Sequence, residues 1–213
     1  MRTISVILPA ARDAVLTQRV VDVFNAANPA VHVDFIVSSP SFIIERATNV
    51  RDNYAGVFKA FILALPFTKG DYVAWISDEA MPTTNCLSNM ADFLDANTPP
   101  FIAEFFVGDE GPKQFGLRYA RWGMMSRKSM DMIGFFDERY QNYFADVDLG
   151  LRCWQMGGSV ESCGQASISI NQLNDELSRS HVGKSWKRDY LIFRRTWHAK
   201  FRDQWPDEPE GSP

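Results

Sequence analysis

Residues 68–82 read T-K-G-D-Y-V-A-W-I-S-D-E-A-M-P, and this stretch decides how the rest of the chain is read. Thr68 to Asp71 is a turn signal. Residues 72–76 are a short, β-rich apolar run that stops at Ser77 and delivers two adjacent acids, Asp78 and Glu79. A short apolar run bounded by turn residues is the pattern of a strand buried on both faces.

Upstream, residues 4–8 predict a strand closed by Pro9. Residues 14–27 carry Val15, Leu16, Val20, Val23 and Phe24 at helical spacing before Asn28-Pro29. Residues 31–37 predict a second strand, Ser38 to Ser41 a turn, and residues 54–65 a second helix with Val57, Phe58, Phe61, Ile62 and Leu65 on its face. Strand, helix, strand, helix, strand predicts a layered α/β domain with a largely parallel sheet. Ligands in such sheets bind beyond the carboxyl ends of the strands, where Pro9-Ala10, Ser38 to Ser41 and Ser77 to Glu79 fall. Downstream, the pattern predicts helices over 83–95 (capped by Thr83 or Thr84), 129–133, 146–156 and 186–205. Strands are expected over 101–107, 119–125 and 159–163, with a loop at 108–113.

The chain has 213 residues, 46% hydrophobic and 23% charged, which suits one globular core. A net charge of −4 argues against a surface built to wrap nucleic acid. No run reaches the roughly eighteen apolar residues of a membrane span, and the opening M-R-T-I-S-V-I-L-P reads as a strand, not a signal peptide. Cys86, Cys153 and Cys163 fit neither a disulfide framework nor a zinc site, so reduced thiols and a cytoplasmic location are expected. Residues 205–213, acidic and Pro-rich, are expected to be a flexible tail or the start of a linker.

Adjacent acids after a buried strand can hold a hard divalent cation against diphosphate oxygens; the alternative is a solvated strand end opening the next helix near Pro82. The second acid pair, Asp146 and Asp148 in A-D-V-D-L-G-L-R, sits two apart on a helix and shares no face. One can enter a cleft while the other braces the helix or pairs with Arg152. Tyr140, Tyr143 and Phe144 can wall a sugar or raise a carboxylate pKa by desolvation. P-loop, dinucleotide and nucleophile-elbow motifs are missing. His181 reads as a loop residue open to a phosphate or an acid.

Taken in order, I-S-V-I-L-P-A at 4–10, D-N-Y-A-G-V-F-K-A-F at 52–61, the 68–82 stretch, R-W-G-M-M-S-R-K-S-M-D-M-I-G-F-F-D-E-R-Y at 121–140 and A-D-V-D-L-G-L-R at 145–152 resemble the inverting glycosyltransferases of GT-A fold, family 2-like. The resemblance spans roughly residues 2–165. It implies a Rossmann-like, three-layer α/β fold with a mostly parallel central sheet. A single domain over 1–204 would carry its nucleotide-binding half in about 1–82 and its acceptor-binding half in about 83–204. Three departures stand out. Glu79 takes the place of the usual metal-contacting Asp, Ser39 stands where the second strand usually ends in an Asp, and Ala145 replaces the Glu common before the base. The Q-x-x-R-W motif of processive synthases is absent, which implies transfer of one sugar at a time.

The resemblance implies the site residues. Asp146 is the expected base toward the acceptor hydroxyl, with Asp148 orienting the loop or holding an acceptor hydroxyl. Asp78 and Glu79 would hold Mn²⁺ or Mg²⁺. Pro9, Ala10, Arg12, Ser39, Asp52 and Asp78 would surround the nucleotide, and Trp122 and Gly123 would line the donor or acceptor cleft. The implied partners are a nucleotide-sugar donor, UDP-linked by preference, and a glycan or lipid-linked acceptor. An inactive nucleotide-sugar or glycan-binding module on the same fold is the alternative. The basic, aromatic C-terminal segment either packs onto the core or lies on an anionic membrane as a peripheral contact.

Overall fold

The structure is a computed structural model that describes residues 1–53, 56–170 and 185–205. His181 and residues 206–213 of the expected tail lie outside the described residues. Among the described residues the sheet has eight strands: β1 (Thr3–Pro9), β2 (His32–Ser39), β3 (Ala47–Arg51), β4 (Tyr72–Trp75), β5 (Ala80–Pro82), β6 (Phe101–Phe106), β9 (Gly123–Ser126) and β10 (Ser159–Ile170), in the order β3-β2-β1-β4-β9-β6-β10-β5. β1 pairs in parallel with β2 and β4, β2 with β3, and β6 with β10; β9 runs antiparallel between β4 and β6, and β5 antiparallel on β10. A separate hairpin joins β7 (Lys113–Gln114) to β8 (Leu117–Arg118).

Among the described residues six helices cover the faces: α1 (Ala14–Ala27), α2 (Val57–Ala64), α3 (Cys86–Asp95), α4 (Arg127–Ile133), α5 (Ala145–Gln155) and α6 (Trp186–Trp197). Two apolar cores follow. One packs α1 and α3 through Val20, Phe24, Leu87 and Met90 against one face of the sheet. The other packs α2, α4, α5 and α6 through Phe61, Ile133, Leu149 and Phe193 against the opposite face. All four residues of β4 are buried, as a strand covered on both faces requires.

Several expectations are corrected. The turn at Ser38 to Ser41 begins later, because β2 continues to Ser39 under its pairing with β3, a strand the apolar pattern did not predict. Neither Thr83 nor Thr84 caps α3. Thr83 bonds across to Ser167, and Asn85, in the left-handed region at φ 58°, opens the helix. The strand expected over 119–125 starts at Gly123. The helix expected over 186–205 ends at Trp197, with a short 3₁₀ turn at Arg202–Gln204. β10 runs on to Ile170 through a register shift between Cys163 and Ser167.

Within α6, Asp189, Phe193 and Trp197 are buried and Trp186 stacks on Tyr190 with ring centroids 5.0 Å apart, while Leu191 faces outward. The aromatic side of the segment is therefore turned to the protein. No helix among the described residues is long and apolar enough to cross a membrane.

Candidate active site

The carboxyl ends of β1 and β4 open into one cleft of about 440 Å³. Pro9, Ala10 and Arg12 enter it from the end of β1, and Asp78 and Glu79 from the end of β4. Asp52 comes from beyond β3, Trp122 from just before β9, and Asp146 from the first turn of α5. Eight of the residues expected from the sequence thus meet in one place.

The turn after β4 explains the acid pair. Ala80 N–H donates to the Ser77 carbonyl at 3.1 Å, and Glu79 N–H to Ser77 Oγ at 3.1 Å, so the chain reverses tightly into β5 with both acids at its apex. No helix opens at Pro82. Both carboxylates are buried and converge on one cation: Arg12 Nη1 lies 2.7 Å from Asp78 Oδ1 and 3.1 Å from Glu79 Oε1. Burial pushes the Asp78 carboxyl up to about 6; Arg12 opposes that shift and the neighbouring Glu79 adds to it.

Asp146 stands on the other side. Its Oδ1 accepts from Val147 N–H at 2.9 Å, and burial raises its carboxyl to about 6 against that hydrogen bond and the charge of Arg121. Asp52 accepts from Ser38 Oγ at 2.9 Å, and its own N–H donates to the Ser39 carbonyl at 3.1 Å, which ties the rim to the end of β2.

Three expected residues lie elsewhere. Ser39 Oγ donates to the Phe42 carbonyl at 2.6 Å beside a second, smaller hollow. Gly123 sits within β9 against Trp75; a Cβ there would fall 2.7 Å from the indole ring and 2.8 Å from the Ala103 carbonyl, so the glycine serves close strand packing. Asp148 faces the core at 1% exposure, taking Arg152 Nε on Oδ2 and Trp197 Nε1 on Oδ1, each at 2.8 Å.

Other cleft residues were not singled out from the sequence. Arg121 lines the cleft, holds Asp109 at 3.0 Å and packs over Trp122. Gly56, at φ 111°, lets the start of α2 meet the 141–142 loop, where Val57 N–H donates to Asn142 Oδ1 at 2.9 Å and Phe58 N–H to the Gln141 carbonyl at 3.0 Å. That loop is held from behind. Asp189 Oδ2 accepts from the N–H groups of Gln141, Asn142 and Tyr143 at 3.1, 2.9 and 3.0 Å. Gly56 and Arg121 lay inside the quoted motifs and were findable; a lone acid in a basic helix carried no signal.

No protein-family model and no curated protein matches the sequence. Solved structures share the fold. GalNAc-T7, crystallised with UDP, GalNAc and Mn²⁺, matches at TM-score 0.73 and 10% identity over 95% of this chain and 49% of its own. The mannosyltransferase PcManGT from Pyrobaculum calidifontis, with GDP-Man and Mn²⁺, matches at 0.64 and 13% over 97% and 66%. Residues 1–349 of S. aureus TarS with UDP-GlcNAc match at 0.63 and 13% over 91% and 65%. The chain therefore has the GT-A-like, Rossmann-type fold of nucleotide-sugar glycosyltransferases. It spans about half the length of the GalNAc-T7 chain.

Asp78 and Glu79 offer hard carboxylate oxygens that would suit a divalent ion in place of the Arg12 guanidinium they now hold. Among the described residues no group of three or more Asp, Glu, His or Cys completes a metal shell. The pair fits an ion of the kind that takes its remaining ligands from diphosphate oxygens and water.

Proposed function

We propose that the chain is an inverting glycosyltransferase that moves one sugar from a nucleotide-diphosphate sugar, UDP-linked by preference, to a hydroxyl of a glycan or lipid-linked acceptor. One observation carries this reading: Asp146 shares a single cleft with the Asp78–Glu79 pair at the carboxyl ends of β1 and β4. Lining residues come from 9–79 and from 121–146, which supports a donor half in about 1–82 and an acceptor half in about 83–204.

In this reading Asp146 removes the proton of the acceptor hydroxyl from ~2.6–3.2 Å while that oxygen attacks the anomeric carbon from the face opposite the leaving diphosphate. A carboxyl at about 6 is largely ionised at neutral pH yet basic enough to take the proton as the bond forms. Pro9, Ala10 and Asp52 border the nucleotide, and Trp122 offers a flat wall to a sugar ring. Mn²⁺ or Mg²⁺ held by Asp78 and Glu79 would supply positive charge to the leaving diphosphate. Asp148 holds α5 and α6 together and so keeps Asp146 in place.

An inactive nucleotide-sugar-binding module is favoured by one observation, the Arg12 guanidinium lying on the acid pair. Titration calorimetry against UDP-, GDP-, CMP- and dTDP-sugars with and without Mn²⁺, followed by hydrolysis assays, separates the two. Metal-dependent binding of one donor with slow hydrolysis that Asp146→Asn abolishes supports the transferase. Binding without turnover in the presence of candidate acceptors supports the module, and no binding across the panel removes both.

A further inference from the structure

The Asp78–Glu79 pair cannot serve a divalent cation and the Arg12 guanidinium through the same oxygens. Arg12 Nη1 lies 2.7 and 3.1 Å from one oxygen of each carboxylate, in the cleft that all three residues line, and a second cation brought to those oxygens would be repelled by the first. Arg12 is also the solvent-facing member of the trio, its side chain 21% exposed against 8% for each acid.

Its position in the chain is equally telling. Arg12 lies between Pro9, at the end of β1, and Asp13, the N-cap of α1. A helix start behind the first strand is the usual place for backbone amides to take a phosphate. Here Asp13 Oδ1 already accepts from Val15 N–H at 2.6 Å and Leu16 N–H at 3.1 Å. Arg12 is the cationic side chain that this segment carries into the cleft, and a guanidinium matches phosphate oxygens as well as it matches carboxylates.

We propose that Arg12 is exchanged between the Asp78–Glu79 pair and the diphosphate of the incoming nucleotide, so that the acid pair opens to a divalent cation once a nucleoside diphosphate is bound. This rests on the donor assignment made above. The exchange orders binding: nucleotide first, ion second. It keeps the buried acids neutralised in the empty protein and brings a second positive group to the diphosphate in the loaded one.

The test measures Mn²⁺ binding by the electron paramagnetic resonance of the free ion, and UDP binding by calorimetry, for the wild type, Arg12→Ala and Arg12→Gln, with folding checked by thermal melting. Arg12→Gln keeps two of the three stem methylenes and a polar end without the charge if the alanine variant does not fold. The exchange requires effects of opposite sign. Without nucleotide, both variants bind Mn²⁺ more tightly than the wild type, by the ~5–150-fold typical of coupled sites. Without metal, both bind UDP more weakly. In the wild type, UDP tightens Mn²⁺ by more than it does in either variant. An arginine with a merely structural role weakens both ligands together, and that result overturns the exchange. Unchanged Mn²⁺ affinity in the variants, with UDP and Mn²⁺ both bound by the wild type, overturns the exchange and leaves the donor assignment standing. Failure of the wild type to bind any nucleoside diphosphate removes the donor assignment and the exchange with it.

Discussion

The two acid pairs look alike in the sequence and are built to opposite ends. Asp78 and Glu79 are neighbours on a tight turn, so both carboxylates project into the same cleft and meet the same guanidinium. Asp146 and Asp148 are two apart on a helix, and the ~100° turned per residue sends one to the cleft and the other to the core. Asp148 gains two hydrogen-bond partners there, Arg152 and Trp197. Among the described residues Asp146 has backbone amides and no side chain as its hydrogen-bond donors, and burial keeps its pKa raised. A carboxylate satisfied on both oxygens stabilises the fold; one left short of partners is available for chemistry.

The contrast predicts opposite behaviour for the same conservative change. Asp146→Asn should lower kcat by ~10²–10⁴-fold, the usual scale for a general base. Because burial raises its folded pKa, the ionised form of Asp146 costs stability: the protonated form is favoured below the unfolded value, and that advantage is lost as pH rises through about 6. Above pH 6 the asparagine variant should therefore melt at the wild-type temperature or higher. The rate of the wild type should fall as pH drops through about 6. A kcat within twofold of wild type would remove Asp146 from the reaction.

Asp148→Asn should do the reverse. It leaves the half-buried Arg152 without its carboxylate, a loss of ~3–5 kcal/mol for a broken buried pair. The lower end is expected, because Arg152 still donates to the Ile133 and Phe135 carbonyls. Urea unfolding checks this: a midpoint unchanged from the wild type would refute the bracing role. Molecules that remain folded keep α5 and its Asp146 in the cleft, so kcat per folded molecule should stay well above that of Asp146→Asn.

How much of this contrast was readable in the sequence depends on how local its causes are. The i,i+4 spacing of Asp148 and Arg152 offers their pairing as one option beside bracing the helix, and the i,i+2 spacing puts the two acids on different faces. Trp197, 49 residues away, was silent. The same holds for the fold. β1, α1, β2 and β4 carry their own apolar periods and were placed within a residue or two. β3 reads Ala47-Thr48-Asn49-Val50-Arg51 with no buried residue, so its extended form comes from pairing with β2 and not from a pattern of its own. β5 is three residues ending in Pro82, fixed by its register on β10. Both β3 and β5 are edge strands, where one ladder of partners suffices and the core asks little of the side chains.

Asp189 extends the comparison to a fifth acid, one whose carboxylate accepts from backbone amides. Its one oxygen gathers three amides of the loop that closes α2 and lines the cleft through Asn142. Asp189→Ala leaves those amides to find water, at ~1–3 kcal/mol for an unsatisfied buried group. It should also raise KM more than it lowers kcat, since the rim loosens while Asp146 stays on its helix. A fall in stability with unchanged KM would make the anchor purely structural.

The smallest effect expected concerns Glu104, a sixth acid, buried at 1% exposure with Arg121 Nε at 3.6 Å and Arg118 at 4.0 Å, distances too long for hydrogen bonds. Burial lifts its carboxyl from 4.5 to about 7 in spite of both arginines. The sign follows from linkage: stability is greatest below the unfolded pKa and is lost as pH rises through about 7. At ~1.4 kcal/mol per pH unit between 4.5 and about 7 the loss is at most ~3.5 kcal/mol, and the nearby arginines and solvent reduce what Glu104→Gln recovers to ~1–2 kcal/mol. Melting at pH 5 and pH 8 checks it. The variant should match the wild type at pH 5 and exceed it at pH 8, whereas the same gap at both values would mean that Glu104 is charged throughout. Since Arg121 leans on Glu104 from the cleft wall, a variant that gains stability at pH 8 should also bind donor less well. That pairing would place Glu104 with Asp146, among acids whose ionised form costs stability and serves the site, and apart from Asp148.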